Sequence, residues 1–251
     1  MKTLFVRNVA FLVTCDDGDR LLADVNLYAE DGVIVYIGNE QRTADRVIDG
    51  SRRILFPGLV NTHHHLYQTF SRNLPQVQKM ELFPWLKTLY EIWKNLDENT
   101  IWHSSLTGMG ELLKTGCTTC LDHHYVFPEN TDNLIDTQFR AADTLGMRFH
   151  ATRGSMDLSV KDGGLPPDSV VQDIDILADS ERLISRYQDP ARCAMHRVAL
   201  APCSPFSVSE DLLRESAVLA RSYGVRLHTH LAETREEENF TLSRFGMRPL
   251  E

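Results

Sequence analysis

The chain has 251 residues, 42% apolar and 24% charged, the proportions of a folded globular protein with room for one large α/β domain or a domain plus a small appendage. Its net charge of −9 argues against a nucleic-acid backbone or an anionic membrane as the main partner, and no stretch reaches the roughly 18 apolar residues that span a bilayer. Arg7 and Asn8 break the opening apolar stretch, against a signal peptide, and the five cysteines follow no disulfide framework, so the expected compartment is the cytoplasm.

Residues 1–56 read differently from the remainder. "DVNLYAEDGVIVYIGN" alternates about Asp31-Gly32, a dipeptide favoured in tight hairpin turns, so a small β element is expected from Met1 to about Phe56. From Pro57 the pattern becomes strand then helix, repeated. The strands expected are "LFPGLVNTHHH" and residues 117–125, 147–155, 197–204 and 225–233. Between them Trp102, Leu106, Met109 and Leu113 recur at helical spacing, as do Leu212, Leu219 and Tyr223. Gly116, Gly146 and Gly224 each stand directly before a strand and read as left-handed helix stops. Alternation of this kind implies a parallel sheet with its functional groups at the carboxyl ends of the strands. An open doubly wound sheet lacks its usual glycine-rich phosphate loops here, and a closed barrel would need about three more repeats.

"PGLVNTHHHLYQTF" (57–70) places three histidines after an apolar run, far from either chain end, which sets aside a tag. Strand alternation would turn His63 and His65 to one side and His64 to the other. In "LHTHLAETREEE", His228 and His230 share a face and Glu233 follows His230 by three. Parallel strands bring such ends to one rim, which favours a metal site over satisfied core histidines. Glu236, Glu237 and Glu238 read as a solvated helix start. Cys117-Thr-Thr-Cys120 lies inside an apolar run and reads as buried, reduced thiols.

"PGLVNTHHH" followed by "LHTHLAET" resembles the amidohydrolase superfamily, in particular its branch of nucleobase and triazine aminohydrolases. "HHHLYQTFSRNLP" and "ATRGSMDLS" bring the chain nearest to members acting on 8-oxoguanine and hydroxyatrazine. The resemblance covers the whole chain and specifies the superfamily far better than the substrate. It implies a TIM-type (β/α)8 barrel of the metal-dependent hydrolase kind, joined to a small β-sandwich built from both chain termini. Residues 1–56 would be the amino-terminal part of that sandwich, and residues 57–251 about the first five β/α units of the barrel. It implies His63, His65 and His230 as metal ligands and Glu233 as the catalytic acid–base. The family's strand-six histidine and strand-eight aspartate have no counterpart, so residues 1–251 alone are expected to turn over little substrate. "RVALAPCS" lacks the lysine that bridges two metals in some members, so one divalent metal is expected, zinc first and Fe2+ as the alternative.

Gln68 suits the amide-like edge of an oxopurine, and Tyr125 is the preferred pocket residue of His123-His124-Tyr125. Arg153 reads equally as a contact to a ring carbonyl or a structural ion-pair partner, and Cys203 as packing. Residues 155–169 read as a mobile loop over the mouth or as an exposed connection.

The leading expectation is hydrolytic deamination of 8-oxoguanine to urate and ammonia by metal-activated water. Guanine, a pyrimidine or a hydroxyatrazine-type ring is the alternative within the same chemistry. A non-catalytic metal-binding fragment is the alternative of another class. The expected partners are a small nucleobase-like substrate and water, with no nucleic acid or membrane; a homo-oligomer is compatible with all of this.

Overall fold

The computed structural model describes residues 2–129, 131, 133–170 and 175–251. The chain divides into two compact units, Met1–Gly58 and Leu59–Glu251.

The first unit is a sheet of β1 (Thr3–Val13), β2 (Leu21–Glu30), β3 (Val33–Gly38), β4 (Arg46–Asp49) and β5 (Ile54–Leu55). Its order is β3-β2-β1-β4, with β5 also on β1; β1 runs antiparallel to β2 and parallel to β4 and β5. The β2–β3 hairpin turns at the expected dipeptide, where Asp31 (φ 45°) and Gly32 (φ 84°) both take the left-handed conformation such a two-residue turn demands. Val6, Val9, Leu12, Leu27 and Ala29 form its core.

The second unit alternates strand and helix. Its strands are β6 (Leu59–Asn61), β7 (Cys117–Asp122), β8 (Arg148–Ser155), β9 (His196–Pro202) and β10 (Arg226–Leu227). Its helices are α1 (Leu82–Trp93), α2 (Glu98–Lys114), α3 (Leu134–Leu145), α4 (Ile176–Tyr187), α5 (Glu210–Tyr223) and α6 (Arg235–Phe245). The five strands are parallel and their spatial order β10-β9-β8-β7-β6 follows the chain. A doubly wound sheet reverses its order at a switch point; this one never does, as in a barrel wall. Gly116 (φ 87°), Gly146 (φ 69°) and Gly224 (φ 65°) stop the helices as expected.

Two helical stripes differ from expectation. On α2 the buried face is Ile101, Ser104, Ser105, Gly108 and Met109, with Trp102, Leu106 and Leu113 only partly covered. Small residues occupy that face because a 3-10 turn, Leu66–Ser71, lies against it: a Cβ at Gly108 would meet Leu66 at 2.7 Å and Thr69 at 3.2 Å. On α5, Tyr223 is exposed, whereas Leu212 is buried. Residues 155–169 are largely covered, with only residues 160–163 exposed. Asp157 and Leu158 donate backbone N–H to the Ser207 carbonyl and Leu165 to that of Phe206, while Met156, Leu158 and Leu165 are buried.

All five cysteines are free: Cys117, Cys120 and Cys203 are buried, Cys15 and Cys193 exposed. Among the described residues no helix is long and apolar enough to cross a membrane.

Candidate metal centre

The histidines lie beyond their strands, since β6 ends at Asn61 and β10 at Leu227. What fixes them is the end of β7. The His123 N–H donates to the His64 carbonyl at 2.7 Å, and the fully buried Asp122 carboxylate accepts from the Leu66 N–H at 2.6 Å and from Gln138 Nε2 at 2.6 Å. Burial pushes the Asp122 pKa up to about 7 against these two hydrogen bonds, which lower it. Held this way, His63 and His65 face one point while His64 packs towards Gly108 of α2.

His65 Nε2 lies 3.2 Å from His63 Nε2 and 3.2 Å from His230 Nε2. Ligand nitrogens about 2.0–2.1 Å from a tetrahedral zinc stand about 3.3 Å apart, so the spacing fits a metal. The opposite nitrogens are engaged. His65 Nδ1 donates to the His123 carbonyl (2.6 Å) and His230 Nδ1 to the Cys203 carbonyl (3.0 Å); His63 Nδ1 lies 2.8 Å from His228 Nε2. A carbonyl only accepts, so both Nδ1 atoms carry the proton and the neutral rings turn lone pairs towards each other. Burial first, then the proximity of His230, holds the His65 pKa well below the usual range. Burial and then His63 pull His230 down to about 4. Two neutral lone pairs at this distance repel unless a cation lies between them. This donor set therefore fits a divalent metal, with ring orientation supplied by carbonyls and His228.

His65 and His230 floor a cavity of about 130 Å³ walled by Trp85, Leu86, Tyr90, Tyr125 and Phe206. Gln68, Cys203 and Glu233 are its other polar groups. Gln68 Nε2 donates to the Tyr67 hydroxyl at 3.3 Å, and Tyr125 stands edge-on to His65, with centroids 5.3 Å apart and planes at 87°. Partial burial and then the Glu237 carboxylate raise the Glu233 pKa.

Arg153 is not in this cavity. Alternation along β8 puts it on the helix side with Phe149, whose ring meets Phe139 of α3 at 5.4 Å. There Arg153 Nε donates to Asp179 at 2.6 Å, its guanidinium 3.9 Å from the Phe127 ring centroid. The substrate contact expected of Arg153 gives way to its structural reading.

Three groups carry more than the sequence suggested. Glu237 is fully buried rather than solvated, and its carboxylate accepts from the Ala232 N–H (2.9 Å) and the Glu233 N–H (2.7 Å). It shapes the turn that presents Glu233, with Ala232 at φ 57°. His228 orients His63, and His123 joins His63, His65 and His230 in one group whose ligand atoms lie within 4.8 Å of one another. The position of His123 directly after the helix-facing Asp122 was the signal that it turns the other way.

Metal-directed histidines on a barrel wall beside a carboxylate define a hydrolase-like centre, and residues 54–251 match the amidohydrolase family, to which the chain belongs. Over all of this chain it is 48% identical to an 8-oxoguanine deaminase from Pseudomonas aeruginosa and 40% identical to a hydroxydechloroatrazine ethylaminohydrolase from a Pseudomonas species, covering 56% and 55% of them. The chain thus spans about half the length of the curated relatives it matches. Among solved structures, triazine hydrolase from Arthrobacter aurescens superimposes with a TM-score of 0.94 at 32% identity, over 100% of this chain and 57% of that one. A zinc complex of atrazine chlorohydrolase from Arthrobacter aurescens TC1 gives 0.93 at 32% identity, over 98% and 56%. The fold is of the TIM-barrel type, five β/α units of it in this chain.

Proposed function

We propose that residues 57–251 are the amino-terminal portion of a metal-dependent aminohydrolase barrel and residues 1–56 part of an accompanying β-sandwich. The leading reaction is 8-oxoguanine plus water to urate plus ammonia. The facing lone pairs of His65 and His230, 3.2 Å apart at the floor of a flat-walled cavity, carry the reading. The 8-oxoguanine deaminase at 48% identity supports the choice of ring.

One divalent metal, zinc for an all-imidazole set with Fe2+ as the alternative, would be held by His63, His65 and His230 and would make water a strong nucleophile near neutral pH. Glu233 takes a proton from the attacking water, returns it to the ring nitrogen, and then serves the departing amine. Its raised pKa suits both roles. Trp85 and Tyr125 exclude water and confine a planar ring. The Gln68 amide N–H is engaged by Tyr67, so its Oε1 can accept a ring N–H of the substrate.

Zinc titration of residues 1–251, followed by ammonia or alkylamine release from 8-oxoguanine, guanine, isocytosine and hydroxyatrazine by a chain that carries the remaining β/α repeats, tests this. Stoichiometric zinc and fastest release from 8-oxoguanine are expected. A protein that takes up no zinc sinks the metal reading, and fastest release from another ring moves the substrate to that ring.

A further inference from the structure

Building on the metal reading above, we propose that His123 is a fourth nitrogen donor of the same centre. Its ring is wholly buried, and neither ring nitrogen has a hydrogen-bond partner. An imidazole sealed from water without a partner forfeits the solvation of its polar atoms, so some partner beyond the protein is called for. His123 is not among the side chains that line the cavity shared by Gln68 and Glu233. What the ring does face is the cluster. Its ring stacks on that of His230, centroids 4.5 Å apart and planes at 20°, with His65 at 5.5 Å and His63 at 5.8 Å, and one of its nitrogens lies within 4.8 Å of theirs.

Orphaned nitrogens alone would not decide this. The neighbouring His124 is equally buried, and its ring meets the Val126 backbone but no side-chain partner. Its ring, however, lies against Tyr67 (5.1 Å) and Phe127 (4.9 Å), outside the group of converging donors. His123 is also held at both ends of its own peptide. Its N–H donates to the His64 carbonyl and its carbonyl accepts from His65 Nδ1, so its backbone cannot drift from the cluster without disturbing a ligand. Zinc accepts a fifth ligand, so four imidazoles still leave a place for water.

The direct test is zinc-edge X-ray absorption on the zinc-loaded wild-type protein, which counts imidazoles around the ion. Four are expected, falling to three in His123→Phe and His123→Asn. Chelator competition should show zinc held about 10–100-fold less tightly in both variants, at least the loss seen when an orienting neighbour is removed. His124→Phe should match wild type in ligand count and affinity. Three imidazoles in the wild type overturn the assignment of His123 and leave the other ligands standing, even if neither variant folds. Failure of the wild type to take up zinc overturns the metal centre as a whole.

Discussion

The imidazoles after β6 and β10 differ from those after β7 in how their nitrogens are used. His63, His65 and His230 each have one ring nitrogen tied, to His228, to the His123 carbonyl and to the Cys203 carbonyl. His123 has neither nitrogen tied, and His124 meets only the Val126 backbone. A tether on one nitrogen fixes the tautomer and aims the other, so the first group is oriented before any metal arrives. In the second group the backbone does the orienting. The same short segment, Asp122–His123, thus fastens the ligands of another strand through its peptide groups and carboxylate.

Removing a tethered imidazole should have the largest effect. His65→Ala takes away the nitrogen shared by both 3.2 Å contacts, so zinc content measured by atomic absorption should fall to near background. Glu233→Gln should leave zinc content intact while lowering deamination, measured in a chain that carries the remaining β/α repeats, by about 10²–10⁴, the usual worth of a positioned acid–base group. Loss of zinc in that variant would make Glu233 a ligand or a support instead. Since Glu233 must be ionised to act as base and its pKa is raised, the acid limb of the wild-type pH–rate profile should lie above the ordinary carboxylate range.

Asp122→Ala should cost about 1–3 kcal/mol for each buried donor it orphans, the Leu66 N–H and the Gln138 amide, read from urea unfolding. It should also loosen zinc by shifting the His63–His65 segment. Smallest is an effect remote from the rim. Burial alone would raise the Asp136 pKa, but hydrogen bonds from Arg182 and Tyr187 and the charge of Arg186 outweigh it, so the net shift is downward. A depressed carboxylate contributes stability above its unfolded pKa and loses it as pH falls through the folded value. Asp136→Asn should therefore cost about 1 kcal/mol at pH 7 after solvent screening, and the gap to wild type should narrow as pH falls below about 4. A gap that does not narrow on acidification would show packing rather than charge at work.

Much of this was legible in the chain. The five strand positions follow from apolar runs punctuated by Gly116, Gly146 and Gly224, because left-handed stops mark where helices must end. The Asp31-Gly32 hairpin is legible for the same steric reason. The face of α2 was hidden, since Ser104, Ser105 and Gly108 carry no hydropathy signal; their value is small size beneath the Leu66–Ser71 turn. Arg153 could have been read better: "RFHATRGS" places Phe149, Ala151 and Arg153 on one face, and the first two are plainly core. Glu237 was beyond reach, because its partners are backbone N–H groups of its own turn and leave no mark in composition.

The sorting of the cysteines has a practical consequence for anyone attaching a probe. Cys203 lies in the cavity wall, yet burial pushes its thiol up to about 12, and Cys120 is sealed beneath α3's side of the sheet with its pKa raised by burial as well. At neutral pH neither offers a thiolate to an alkylating reagent. Cys15 and Cys193 are exposed, within reach of a reagent in solution. A maleimide dye or spin label added to the native protein should thus mark Cys15 in the small β unit and Cys193 in the loop before β9. One spectroscopic reporter thus becomes available on each unit without a single substitution.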